Sequence, residues 1–223
     1  MYHIRKEADL KNNRRVLYVE APFDKALKII KLRGSNIITA KQLADARMQC
    51  DVSHSLSANG AYISEGIIVD PYPKHPNILL RESLILNNPH NATESHRKIR
   101  NYNYYHESYV VPSTIESVLN GLIEDKDYIF LDDRIGDHVI SYTEFFEHSK
   151  LMNFLFGKSA KAYGIWLKEE GKISKVNIYN ITCARRSEIT ADQLWFNRLT
   201  ENSFFGGGRY LNHSNRVRWI DTK

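Results

Sequence analysis

The clearest alternation of side chains lies between residues 61 and 69, where Ala-Tyr-Ile-Ser-Glu-Gly-Ile-Ile-Val predicts a β-strand. Side chains of a strand alternate between two faces, so Glu65 shares a face with the apolar odd-numbered residues of this segment. A buried carboxylate without partners is costly. Glu65 is therefore expected to pair with a cation or a hydrogen-bond donor, or to take part in catalysis.

The remaining pattern predicts a mixed fold in which hairpins outnumber helices, without the βαβ alternation of a doubly wound sheet. Strands are predicted at 15–22 and 26–33, and residues 77–87 are predicted to return antiparallel to the strand at 61–69. Thr39-Ala-Lys-Gln42 is a capping box that opens a helix through about residue 49. Further predicted elements are an irregular connection over 88–106, helices over 113–123, 143–156 and 190–200, hairpins around 132–133 and 170–172, and a strand-like tail from 204 onwards.

Composition indicates an ordinary globular protein. The chain has 223 residues, of which 42% are hydrophobic and 26% charged, and this predicts one domain over residues 1–223. It contains no apolar run of roughly 18 residues and no signal-peptide core, so we expect a cytoplasmic protein without membrane contact. The net charge of +5 and the 13 tyrosines are compatible with a polyanionic partner.

Several common functional classes lack their motifs. The sequence has no P-loop, Rossmann fingerprint, HExxH motif or nucleophile elbow. Its nine histidines show no metal-ligand spacing, so neither a metal nor another cofactor is expected. The acidic pair Asp132-Asp133 lies at a predicted turn, where aspartate serves local hydrogen bonding.

The candidate catalytic and DNA-binding residues lie around Glu65 and in the C-terminal tail. Arg33 is the expected ionic partner of Glu65, because arginine can hold a carboxylate in a bidentate pair. Beyond Glu65, a turn stiffened by three prolines carries Tyr72 and Lys74, and a lysine placed beside other cations can form a Schiff base. His213 lies in a basic tail whose candidates for DNA contacts are Arg209, Tyr210, Arg216 and Arg218.

The order and spacing of these residues resemble the HalfPipe superfamily of restriction DNA glycosylases. The resemblance implies a strongly curved antiparallel β-sheet with a few short flanking helices, and a homodimer that forms a channel for double-stranded DNA. It also implies excision of flipped adenines from a GTAC-type site, followed in some members by cleavage of the backbone through an AP lyase activity of the same protein. Such a protein would act as a type II restriction enzyme. A cognate DNA methyltransferase would complete the restriction-modification pair.

The resemblance also implies a role for each residue. Arg33 and Glu65 would lie in the active site, Tyr72 would contact the flipped nucleotide, His213 would serve the glycosidic step and Lys74 would attack the abasic sugar. No metal is needed for this chemistry, because a carboxylate stabilises the oxocarbenium-like sugar. Arg216 stands where the family pattern has an aspartate. The residue that activates water is therefore left open.

Two other functions are compatible with the sequence. One is a non-enzymatic DNA- or RNA-binding regulator of phage or plasmid type, for which the charge and the aromatic residues suffice and Glu65 is merely paired. The other is a small enzyme that handles ADP-ribose or nucleotides, in which Arg33, Ser64 and Glu65 would hold the cofactor.

Overall fold

The computed structural model describes residues 2–70, 76–98, 109–131, 139–141, 149–173, 175–179, 188–200, 203–206 and 211–222. Its strands are β1 (Ile4–Leu10), β2 (Arg14–Ala21), β3 (Ala61–Val69), β4 (Ile78–Leu80), β5 (Tyr109–Val110), β6 (Tyr128–Phe130), β7 (Val139–Ser141), β8 (Lys175–Tyr179), β9 (Thr190–Thr200), β10 (Ser203–Gly206) and β11 (Asn215–Thr222). Its helices are α1 (Phe23–Leu32), α2 (Ala40–Arg47), α3 (Ser55–Ala58), α4 (Pro89–Lys98), α5 (Ile115–Leu119), α6 (Ser149–Phe156) and α7 (Ala160–Glu169), with 3-10 turns at Leu84–Leu86 and Gly157–Ser159. The predicted α+β class with several short helices is confirmed.

The strands form one large sheet whose main path runs β1-β2-β11-β3-β9-β10-β8-β7. Pairing is mostly antiparallel, and the parallel exceptions are β11 with β3 and β10 with β8. The short strand β4 joins β3 to β6, and β5 pairs with β9. The last strand in the sequence, β11, therefore lies between two strands from the first third of the chain.

Helices cover both faces of this sheet. The buried residues of α1, of the 3-10 turn at Leu84–Leu86 and of α4 belong to one core cluster. Those of α2, α6 and α7 belong to another cluster on the opposite side. Because β3 is covered on both faces, all nine of its residues are buried. No helix in the described part of the chain is long and apolar enough to cross a membrane.

Segment 26–33, predicted as a strand, lies in helix α1. The buried residues of α1 recur at helical spacing: Phe23, Ala26, Leu27 and Ile30. The helix ends in a Schellman motif, in which the N–H groups of Gly34 and Ser35 donate to the carbonyl groups of Lys31 and Ile30 at 3.0 and 3.2 Å. Gly34 has a φ of +66°, which favours glycine.

Other elements also differ from prediction. Residues 190–200 form strand β9 instead of a helix, and residues 162–168 lie in helix α7 instead of a strand. Helix α4 occupies the first part of the predicted connection at 88–106. Strands β6 and β7 do not pair with each other, since β6 pairs with β4 and β7 with β8. Helix α6 covers 149–156, and residues 143–148 of the predicted helix lie outside the described ranges.

Candidate functional site

Strand β3 contains a bulge where it leaves its partner β9. Tyr62 lies opposite Trp195 and Gly66 lies opposite Gln193, so three residues of β3 face a single residue of β9. The bulged residues are Ile63, Ser64 and Glu65. Bulges redirect side chains and are frequent beside functional sites. Glu65, the carboxylate predicted on the apolar face of this strand, therefore lies in a bulge of the backbone.

Groups outside the strand ladder satisfy the bulged backbone. The side-chain amide of Gln193 donates to the carbonyl oxygens of Ile63 and, at 3.0 Å, of Glu65. The bulge is thereby held by a side chain of β9 instead of by its backbone.

The opposite edge of β3 changes its neighbour at the bulge. Tyr62 is paired with β11, whereas residues 66–68 are paired with β4. Between these pairings, the N–H of Ser64 donates to the carbonyl of Ile38 at 2.9 Å, and the N–H of Ser83 donates to the carbonyl of Ser64 at 2.8 Å. The sheet therefore forks at Ser64, and residues of two loops enter the fork.

Gly66 fixes how closely the strand approaches Ser83 beyond the bulge. A Cβ atom at position 66 would lie 2.8 Å from the Cα of Ser83. Because a backbone atom cannot move aside as a side chain does, we expect Gly66→Ala to lower the free energy of unfolding by about 1 to 3 kcal/mol. Urea unfolding measures this change. An unchanged transition midpoint would contradict the close approach.

A cavity of about 270 Å³ lies at this fork, on the side of the sheet covered by α1. Its buried lining residues are Leu27, Ile30, Ile37, Ser64 and Leu86, and its exposed ones are Lys31, Asn36, Glu82 and Asn87. The lining also includes three partly buried residues, Ser35, Thr39 and Arg81. The cavity thus has an apolar floor with one hydroxyl group and a polar rim.

The carboxylate of Glu65 lies behind the Ser64 hydroxyl and is fully buried. Its two oxygens lie 3.1 and 3.0 Å from the N–H of Ala40, the first residue of α2. The hydroxyl of Ser64 donates to Oε2 at 3.2 Å. Burial raises the pKa of Glu65 to about 7, although the bonds from Ala40 and Ser64 and the charge of Arg81 favour the ionised form.

Arg81 contributes a fixed positive charge to the cavity wall. Its guanidinium lies 3.9 Å from the centroid of the Phe154 ring, and Nη1 donates to the Phe154 carbonyl. Partial burial lowers the pKa of Arg81, whereas the charges of Glu65 and Asp127 raise it. The side chain is therefore held by α6 while it remains part of the cavity lining.

Arg33 is not the partner of Glu65, which corrects the sequence prediction. It is exposed at the C-cap of α1, because the segment is helical and the helix ends one residue earlier. The hydrogen-bond donors to the Glu65 carboxylate are Ala40 and Ser64. Arg33 lines an adjoining polar cavity of about 570 Å³, together with Gln42, Asp221 and Thr222. This cavity shares Ser35, Asn36, Ile37 and Thr39 with the one at the fork.

Two arginines of the predicted DNA-binding tail are engaged in ion pairs. Arg218 is fully buried, and its Nε and Nη2 lie 2.5 and 2.8 Å from the oxygens of Glu7. Arg216 bonds to Glu7 and Glu20 and stacks on the Tyr18 ring. Burial raises the pKa of Glu7, but the bonds and charges of Arg218, with smaller help from Ser55 and Arg216, bring it below its ordinary value. Strand β11 thus directs Arg218 into the interior, away from any phosphate.

The described part of the chain does not bring the predicted catalytic residues together. His213 is exposed in the turn before β11, Arg33 is exposed at the end of α1, and Glu65 is fully buried with neither of them as a hydrogen-bond partner. The remaining predicted residues, Tyr72, Lys74, Arg209 and Tyr210, lie outside the described ranges. Among the residues that are described, no group of three His, Cys, Asp or Glu side chains has the geometry to hold a metal ion.

Sequence reasoning missed Arg81 and Gln193. The fold brings the Gln193 amide to the bulged backbone and brings Arg81 close enough for its charge to act on Glu65. Nothing in the local sequence around either residue indicates this position. One usable signal was the capping box at Thr39 and Gln42, which is present in the structure and marks a helix N-terminus with free N–H donors. A carboxylate at such a terminus needs no cationic side chain.

Comparisons with known proteins bear on the fold. No protein-family model and no curated protein matches the chain. It is similar to a solved structure described as "Accommodation of massive sequence variation in Nanoarchaeota by the C-type lectin fold", with a TM-score of 0.66 and 17% sequence identity over 97% of this chain and 100% of that one. At this identity the likeness concerns the fold alone. The chain therefore shares its fold with a C-type lectin-fold protein.

Proposed function

We propose that the protein binds a small organic molecule in the cavity at the β3 bulge. The observation that carries this proposal is the Ser64 hydroxyl, a buried polar group on the otherwise apolar floor of the cavity. Ligand sites typically combine apolar walls with a few placed polar groups that orient the ligand. The bulge supplies such a group.

The size and lining of the cavity limit the ligand. Ligand pockets commonly measure about 300 to 1,000 Å³, and a volume of about 270 Å³ suits one compact molecule of metabolite size. The apolar floor formed by Leu27, Ile30, Ile37 and Leu86 favours a hydrocarbon part, and the rim favours polar substituents. A polymer would contact only the rim.

The structural neighbour supports a role for the fold as a scaffold. That protein is described in terms of massive sequence variation accommodated by the C-type lectin fold. The present chain keeps a similar backbone at 17% identity. A scaffold of this kind leaves the cavity lining free to set what is bound.

A compound screen with a blocking variant tests the proposal. We expect metabolite-sized compounds to raise the melting temperature of the protein, because a ligand that binds the native state stabilises it. Asn36→Trp at the exposed rim should cover the cavity and weaken binding about tenfold or more. The matched control is Asn153→Trp, an exposed asparagine on α6 that does not line the cavity. Equal binding by both variants would contradict the site.

DNA glycosylase activity, the half-pipe curvature, the homodimer and the DNA partner stay predictions from the resemblance. The burial of Glu65 and the ion pairs of Arg216 and Arg218 do not favour them. Incubation with GTAC duplex DNA in EDTA, followed by borohydride, tests the glycosylase prediction directly. Released adenine and a trapped covalent adduct would support that prediction, and intact DNA would contradict it.

A further inference from the structure

We propose that the cavity ligand carries a carboxylate that binds between Ser64 and Arg81, and that its binding is accompanied by uptake of one proton on Glu65. This inference rests on the proposed function, because it concerns the same cavity. It deepens that function by naming the chemical class of the ligand and the condition under which it binds.

The Ser64 hydroxyl lines the cavity and also bonds to Glu65. In the structure this hydroxyl donates to Oε2 of Glu65. A hydroxyl has one proton to donate, so an ionised Glu65 competes with a ligand carboxylate for it. A protonated Glu65 instead donates to the Ser64 oxygen and frees the hydroxyl proton for the ligand. The proton on Glu65 thus reverses the direction of the hydrogen bond.

The lining of the cavity has a net positive charge. Its charged lining residues are Lys31, Arg81 and Glu82, which leaves one net positive charge. A monoanion balances that charge, whereas a dianion such as a phosphate monoester does not. Among the described residues, the guanidinium of Arg81 donates one hydrogen bond, from Nη1 to the Phe154 carbonyl, and its other N–H groups are available there to a carboxylate.

The surroundings of Glu65 determine how it responds to a ligand. Its carboxylate is held by the N–H of Ala40 from α2 and by Ser64, and the charge of Arg81 favours its ionised form. The side-chain amide of Gln193, from the neighbouring strand, donates to the backbone carbonyl of Glu65. A ligand carboxylate would take the Ser64 proton and offset the charge of Arg81. Both changes disfavour an ionised Glu65, so a proton must enter as the ligand binds.

The test compares cyclohexanecarboxylate with cyclohexanecarboxamide, which has a similar shape and no charge. Calorimetry in buffers of different ionisation enthalpy should show uptake of about one proton per bound carboxylate above about pH 7. The carboxylate affinity should fall by up to about tenfold per pH unit over the same range. The affinity of the carboxamide should not depend on pH.

Two variants assign the effect to its residues. Glu65→Gln cannot take up the proton, so the carboxylate should bind this variant equally well at about pH 6 and about pH 8. Ser64→Ala should reduce the preference for the acid over the amide, with the fold kept according to circular dichroism. Glu169→Gln, at an exposed position in α7 outside the cavity lining, is the control and should keep the full pH dependence.

The outcomes distinguish the two proposals. If the carboxamide binds as tightly as the carboxylate, or if carboxylate binding takes up no proton, this inference is wrong and the binding function stands. If neither compound binds and the wider screen also finds no ligand for the cavity, both proposals fail.

Discussion

Glu7→Ala is expected to lower the free energy of unfolding by about 3 to 5 kcal/mol, as measured by urea unfolding. The side chain of Glu7 is 1% exposed, and it pairs with both Arg216 and the fully buried Arg218. Among the described residues, removing the carboxylate leaves the Arg218 guanidinium with the carbonyl groups of Asn59 and Gly60 as its hydrogen-bond acceptors. An uncompensated buried charge is among the most destabilising changes in a protein core.

Glu20→Ala is the matched control for this prediction. Glu20 also bonds to Arg216, at 2.9 Å, but its side chain is 47% exposed. Ion pairs of this kind contribute up to about 1 kcal/mol. A loss in Glu7→Ala no larger than in Glu20→Ala would show that the buried pair does not hold β1 to β11.

The second large effect is the pH dependence that Glu65 imposes on stability. Burial raises the pKa of Glu65 from 4.5 to about 7 in the folded protein. The unfolded chain releases this proton at a lower pH than the folded one, so stability falls as the pH rises from about 4.5 through about 7. Between about pH 5 and about pH 8 the loss amounts to about 2 to 3 kcal/mol.

Glu65→Gln removes this contribution without removing the side chain. The difference in unfolding free energy between the variant and the unsubstituted protein should therefore shift in favour of the variant by about 2 to 3 kcal/mol between about pH 5 and about pH 8. Urea titrations at each pH measure it. Glu82→Gln, at the exposed cavity rim, should show no such shift. A parallel pH profile for all three proteins would mean that Glu65 is ionised throughout.

Local patterns predicted some elements of the fold well. The capping box at Thr39 and Gln42 and the strand at 61–69 both appear where the sequence indicates them. Glu65 is buried as predicted. In each case a short-range signal, either a cap or an alternation, agrees with the tertiary structure.

Helix α1 and strand β9 show why other elements were wrong. The adjacent residues Ile29 and Ile30 favour a strand, yet the helical spacing of the buried residues decides the conformation of α1. Thr190-Ala-Asp-Gln193 has the spacing of a capping box, but pairing with β3, β5 and β10 holds this segment as a strand. Pairing with strands that are distant in the sequence overrides the local helix preference of residues 190–200. A short stretch of sequence does not reveal that pairing.

The candidate site was predictable only in part for a related reason. Its cavity is built from α1, the segment at 35–39, the β3 bulge and the residues around Arg81, which are distant in sequence. The partner of Glu65 is a backbone N–H, which every residue except proline carries and which no sequence pattern singles out. A search for side-chain cations therefore led to Arg33.

The position of β11 has a consequence for how the chain folds during synthesis. Residues 14–21 leave the ribosome long before residues 215–222, yet these two segments pair along their whole length. Until the last strand emerges, β2 lacks that neighbour and Glu7 lacks both arginine partners. Contacts of such long sequence separation form slowly, because the intervening chain must be closed into a loop. Before β11 pairs, a nascent chain would thus expose an unpaired strand edge beside a solvated Glu7, and the pairing of β11 would bury both.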